Sequence, residues 1–264
     1  MTFLILTAIS GFALIVLPIV AARLVKKNWQ TPKGLFLTAG LAALVVEVVH
    51  TAVIGNGASL WPQVFDMPAY LTAIILGVVS GLFTELGRFL VLDRLMKKVR
   101  SYREGIVFGL GWGGVQSFLY GLVVIVGAIG IYMLVGISDL EAAFPTSDKN
   151  ELTAFLQLQK QSAELMTASP WLGLAPVVER VSLVTVDVAM TLLILLAILT
   201  GRSSLTWAAV GFRAICVACV IYMNTLDPML SEGAIILFAV ISFLMIRRLS
   251  ESFAAAPPDY GIST

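Results

Sequence analysis

Seven apolar stretches follow one another along this 264-residue chain, each near the roughly 20 residues that a helix needs to cross a bilayer. They lie near 3–22, 35–55, 69–92, 105–135, 173–200, 204–224 and 233–246. The fourth is long enough to bend, and the seventh is short and extendable at either end. A soluble domain carries about 25% charged residues; this chain carries 12% and is 59% hydrophobic. The expected fold is therefore all-α: a polytopic membrane helix bundle, with a single transmembrane domain over 1–249 and a cell-membrane location. Residues 3–22 read as a retained first span, because no basic segment precedes them. The tail 250–264, with Pro257-Pro258 and Gly261, is expected to be disordered and cytoplasmic.

Basic residues set an orientation. The segments 23–34, 93–104, 201–203 and 247–264 hold 12 of the 17 lysines and arginines. The alternate loops hold only Lys149 and Lys160, against eight carboxylates. By the positive-inside rule the N-terminus lies outside and the C-terminus in the cytoplasm. This distribution leaves no basic face for nucleic acid. The longest loop, 137–172, has Leu152, Phe155, Leu156 and Gln159 at helical spacing, which predicts a short amphipathic helix over Asn150 to Thr167 at the outer surface, with Asp148 as a cap.

Within the spans lie Glu47, His50, Glu85, Arg88, Glu179, Arg180, Asp187 and Arg213. Hydrocarbon penalises each ionised side chain by roughly 2.5–3.5 kcal/mol on insertion scales, so such groups pair in a polar interior. Glu85 and Arg88 are three apart and share a helix face. Asp187 falls on the side of Arg180, which suggests a second pair. Glu47 and His50 are also three apart, as a ligand pair or as a hydrogen-bonded packing contact. Arg213 is near enough to the end of its span to snorkel. Cys216 and Cys219 form a C-x-x-C in an apolar run without further ligands, which suits packed thiols better than zinc. Gly105, Gly109 and Gly113 form a small-residue ridge that would bring the fourth span against the third or fifth. A G-x-G-x-x-G match over Gly109, Gly111 and Gly114 lacks the preceding strand of a dinucleotide site.

Several of these segments resemble a known family. Gly81-Leu-Phe-Thr-Glu-Leu-Gly-Arg88, the loop Lys97-Lys98-Val-Arg100-Ser-Tyr, Phe108-Gly-Leu-Gly-Trp-Gly-Gly-Val-Gln116 and Glu179-Arg180 are similar in order and spacing to YhfC-type intramembrane metalloproteases. That group is related to the CAAX-processing and PrsW-like membrane proteases. The likeness covers residues 75–200. It implies a metal site, zinc by family habit, made by a Glu-Glu pair before x-Gly-Arg, a Gly-His-Gly-Gly-x-Glu segment and a histidine after Glu-Arg. At those positions this chain has Thr84 with Glu85, Trp112, Gln116 and Asp187, while Arg88, Glu179 and Arg180 are kept. An indole offers only an N–H donor, and an amide is no base. Metal-assisted hydrolysis needs deprotonated ligands and activated water.

The resemblance with these departures implies a catalytically degenerate protease-fold protein without a metal or other cofactor. Glu85 and Arg88 are its retained catalytic positions, and Thr84, Trp112, Gln116, Glu179, Arg180 and Asp187 its candidate binding residues. Its expected partners are membrane lipids and another transmembrane protein, bound through a polar intramembrane cavity. Alternatives are an active protease with a rearranged site, a transporter, or a subunit of a membrane complex. The first would depend on Glu85 for cleavage. The second lacks the inverted repeats common in carriers.

Overall fold

The computed structural model describes residues 2–28, 31–32, 34–57, 61–137, 149–167 and 169–254. Every regular element among them is helical. Helix α1 is Thr2–Asn28 and α2 is Leu35–Gly55. A single turn, α3, covers Pro62–Phe65. Helix α4, Ala69–Leu90, runs on into a π-helical turn, Val91–Leu95, closed by Met96 N donating to Val91 O at 2.8 Å. Then come α5, Tyr102–Gly136, and α6, Lys149–Thr167. A 3₁₀ turn at Pro170–Leu174 opens α7, Ala175–Thr200. Helices α8, Ser203–Leu226, and α9, Pro228–Ala254, complete the chain.

Among the described residues, seven helices are long and apolar enough to cross a membrane, at the seven places expected. The chain is a polytopic membrane protein. Helix α5 is uninterrupted over 35 residues. At 1.5 Å per residue that is about 52 Å, longer than a ~30 Å hydrocarbon layer. Helix α9 extends beyond 233–246 at both ends and reaches Ala254, inside the stretch assigned to a disordered tail. Asp148 and residues 255–264 lie outside the described residues. The amphipathic segment is helical, as α6.

The chain divides into two compact units. The first takes the described residues within 1–17 and 117–178. In it, Phe3, Leu4 and Ala128 make a small apolar cluster, and Ser10 Oγ donates to Gly173 O at 2.6 Å. Gln159 Nε2 donates to Leu134 O at 3.0 Å and Ile137 O at 2.7 Å, filling carbonyls left open where α5 ends.

The second unit takes residues 18–116 and the described residues within 179–264. Its centre is α7, where Val186 to Ala197 are all buried. A helix apolar around its whole circumference belongs in the middle of a bundle. The glycine ridge packs on this helix. A Cβ at Gly109 would sit 2.6 Å from Val188 Cα, and one at Gly105 2.7 Å from Leu192 Cδ2. The opposite face meets α2, where a Cβ at Gly111 would collide with Phe36 O. Helix α8 packs along α4, with Gly81 facing Val210 O. The start of α5 is set by a capping box: Ser101 N and Oγ both reach Glu104 Oε2 at 2.9 Å, and Glu104 N returns to Ser101 Oγ at 3.3 Å.

Candidate functional site

The helical rise places Glu85 and Arg88 on one side of α4, and Arg88 Nη1 donates to Glu85 Oε2 at 2.7 Å. Helix α7 brings Asp187 against them, and Arg88 Nη2 donates to Asp187 Oδ1 at 2.6 Å. Helix α8, packed on α4, adds Arg213. Its Nη2 donates to the same Asp187 Oδ1, and its Nε lies 3.3 Å from Glu85 Oε1. Two carboxylates and two guanidiniums thus close a four-membered ring. Its formal charges cancel.

The ring is sealed. Glu85 and Arg88 are 0% exposed, Asp187 1% and Arg213 6%. Trp112, also 0% exposed, forms a lid on one side, with the Arg88 guanidinium carbon 4.9 Å from its ring centroid. Cation–π attraction strengthens when both groups are dry. Phe108 stacks on that indole at 5.7 Å. Thr84 is buried one residue before Glu85. Gly113 admits the other oxygen of Asp187, which would lie 2.9 Å from a Cβ there. Thr191 Oγ1 donates to Asp187 O at 2.7 Å, steadying the backbone of α7.

Other expected site residues stand apart. Gln116 Nε2 donates to Glu47 Oε2 at 3.2 Å, which ties α5 to α2. His50 Nδ1 is 3.6 Å from Glu47 Oε1, too long for a hydrogen bond, and its ring lies 6.2 Å from Phe83. Glu179 and Arg180 contact each other at 3.8 Å, both partly exposed. Asp187 therefore does not pair with Arg180. The two are seven residues apart, about 10.5 Å along the axis, and Asp187 faces α4 and α8 instead. Arg213 does not snorkel, because two carboxylates meet it inside the bundle. Sequence reasoning left it out of the site; its depth in the sixth span was a usable signal, but its partners lie on two other helices. The cavities of about 420 Å³ and 360 Å³ are lined by other residues.

The model of the YhfC family, described as YhfC intramembrane metalloprotease, matches residues 13–246. The chain belongs to this family. A relative from Bacillus subtilis (strain 168), described as uncharacterized membrane protein YhfC, is 26% identical over 125 residues, 47% of this chain. The match covers 46% of that protein's own length. No solved structure matches.

The family description implies a metal, and the resemblance puts its ligands at the residues just described. They do not fit one. Trp112 has only a donor to offer, and its Nε1 has no partner among the described residues. Glu85 and Asp187 are already engaged by guanidiniums, whose charge opposes a cation at the same place. Among the described residues no three His, Cys, Asp or Glu side chains gather at metal-binding distance. Zinc asks for about four N, S or O ligands in a tetrahedron. Here the coordinating positions hold a salt-bridge ring and an indole.

Proposed function

We propose that this chain is a YhfC family member whose hydrolytic centre has become a structural ion quartet, and that it binds a membrane partner without cleaving it. The partner is a transmembrane segment or a lipid-linked protein. The observation that carries this reading is the ring of Glu85, Arg88, Asp187 and Arg213 under Trp112, in which Glu85, Asp187 and Trp112 stand where the resembling metalloproteases carry metal ligands. In a buried ring where guanidiniums hold both carboxylates, no unpaired carboxylate is left to take a proton from water. Such a ring suits holding helices in register.

With that centre closed, a partner meets the polar groups that keep some exposure: Glu47, Gln116, Glu179 and Arg180. The polar intramembrane cavity expected for the partner is thereby reduced to these open groups. Kinship with CAAX-processing and PrsW-like proteases supports the choice of a membrane-embedded partner. The loop charges support an N-terminus outside the cell and a C-terminus in the cytoplasm.

The test is photo-crosslinking in intact membranes from a probe at position 47, combined with a search for cleaved membrane proteins. A discrete crosslinked species, with cleavage patterns unchanged in Glu85→Gln, supports the reading. A cleavage product that disappears in a stably folded Glu85→Gln protein would overturn it.

A further inference from the structure

Away from the quartet, a cavity of about 420 Å³ opens where the end of the third span meets the turn between the fifth and sixth. Gly201, at φ 67°, ends α7 in the left-handed region, and Arg202 N closes the turn on Ala197 O at 3.1 Å. Helix α8 then begins with no side chain capping it. Its first-turn N–H groups and positive dipole end therefore favour an anion. Ser203 and Thr206 of that first stretch line the cavity.

Thr206 supplies an independent sign of a ligand. It is 6% exposed, and its Oγ1 has no hydrogen-bond partner among the described residues. Buried hydroxyls in native proteins are nearly always satisfied, so an unpaired one lining a cavity marks a place for a ligand's polar atom. Asp93 also lines the cavity, its Oδ2 3.0 Å from the exposed Arg94 Nε in an ion pair. No hydrogen bond to this carboxylate is found among the described residues, which leaves its other oxygen for a ligand's cation. Leu86, Phe89 and Ile198 complete the lining with an apolar wall. Trp207, 58% exposed, adds an amphipathic ring of the kind that sits at headgroup level.

An anion-favouring helix start, a carboxylate and an apolar wall together describe one ligand chemistry. We propose that this cavity binds a phospholipid with a primary ammonium headgroup. Its phosphate meets the start of α8 and Thr206 Oγ1, its ammonium meets Asp93, and an acyl chain lies along Leu86, Phe89 and Ile198. An anionic glycerol headgroup brings no cation to meet the second oxygen of Asp93 and adds a negative charge beside it. A choline headgroup has no N–H to donate. The site is separate from the ion quartet and does not depend on what the quartet does.

Native mass spectrometry of the full chain, released from nanodiscs with equal ethanolamine, choline and glycerol phospholipids of matched acyl chains, tests this. The ethanolamine lipid should be retained with about a tenfold preference over each competitor, the scale of one charge-assisted hydrogen bond. Asp93→Asn should abolish the preference over the glycerol lipid. Thr206→Val should weaken retention of all three while leaving the melting temperature of the lipid-free protein in place. Equal retention of the three lipids, or a preference that survives Asp93→Asn, would overturn the proposal. So would soluble phosphoethanolamine competing as well as the lipid, since the apolar wall would then contribute nothing.

Discussion

Two helices of this protein carry the same local device, a glutamate three residues before a basic side chain, and the bundle treats them in opposite ways. Glu85 and Arg88 on α4 meet a carboxylate from α7 and a guanidinium from α8, and all four groups vanish from solvent. On α2, Glu47 accepts from the neutral amide of Gln116 and His50 lies beside Phe83, and the Glu47 side chain stays 40% exposed. Spacing of three puts two side chains on one face. Whether they become a lock is decided by what the facing helices bring. In the first case every charge is compensated, so removing any one leaves another stranded in low dielectric. In the second, solvent or lipid headgroups can take over.

That contrast is open to direct attack, beginning where the effect is largest. Asp187→Ala leaves two guanidiniums sharing Glu85, with one buried positive charge uncompensated, and should cost about 3–5 kcal/mol of unfolding free energy in detergent. The double variant Asp187→Leu with Arg213→Met leaves Glu85 and Arg88 as a neutral pair, and should be more stable than Asp187→Ala alone. A double variant as unstable as the single one would mean that the ring is not closed electrostatically. Trp112→Ala opens a void beside Arg88 and should cost about 3–5 kcal/mol, whereas Trp112→Phe, which keeps an aromatic face, should cost less. Gly113→Ala pushes a methyl group against Asp187 Oδ2 and Val184, for about 1–3 kcal/mol. At the other cluster, Glu47→Gln should stay within about 1 kcal/mol of the parent, as expected of a partly exposed pair. A Glu47 effect as large as that at Asp187 would erase the distinction between the two regions.

Much of this arrangement could be seen in the sequence because helical periodicity is local. The span positions, the shared face of Glu85 and Arg88, and the Gly105–Gly109–Gly113 ridge follow from residue spacing, which left the ridge's partner as the third or the fifth span; it is the fifth. Family likeness brought Trp112 and Asp187 to the same centre, where both are found. Which arginine completes the ring did not follow. Arg180 shares a chain segment with Asp187, but two helical turns separate them, while Arg213 is 26 residues away on the helix that packs on α4. Pairing across helices depends on the rotation of each about its axis, and spacing within one helix carries no record of that. Gln116 shows the same gap: its helix is clear from the sequence, its partner on α2 is not. The capping box at Ser101 and Glu104 is a local Ser-x-x-Glu signature that went unread, and it starts α5 at Tyr102, three residues before the expected span.

Zinc content bears most directly on the replacement of a metal centre by ion pairs. The full chain, purified in detergent after growth with added zinc and washed without chelator, should hold far less than one zinc per chain. That residue of metal should be the same in Asp187→Ala as in the parent. About one tightly held zinc per chain, lost in Asp187→Ala, would contradict the account, because a cation and two guanidiniums cannot share the same pair of carboxylates.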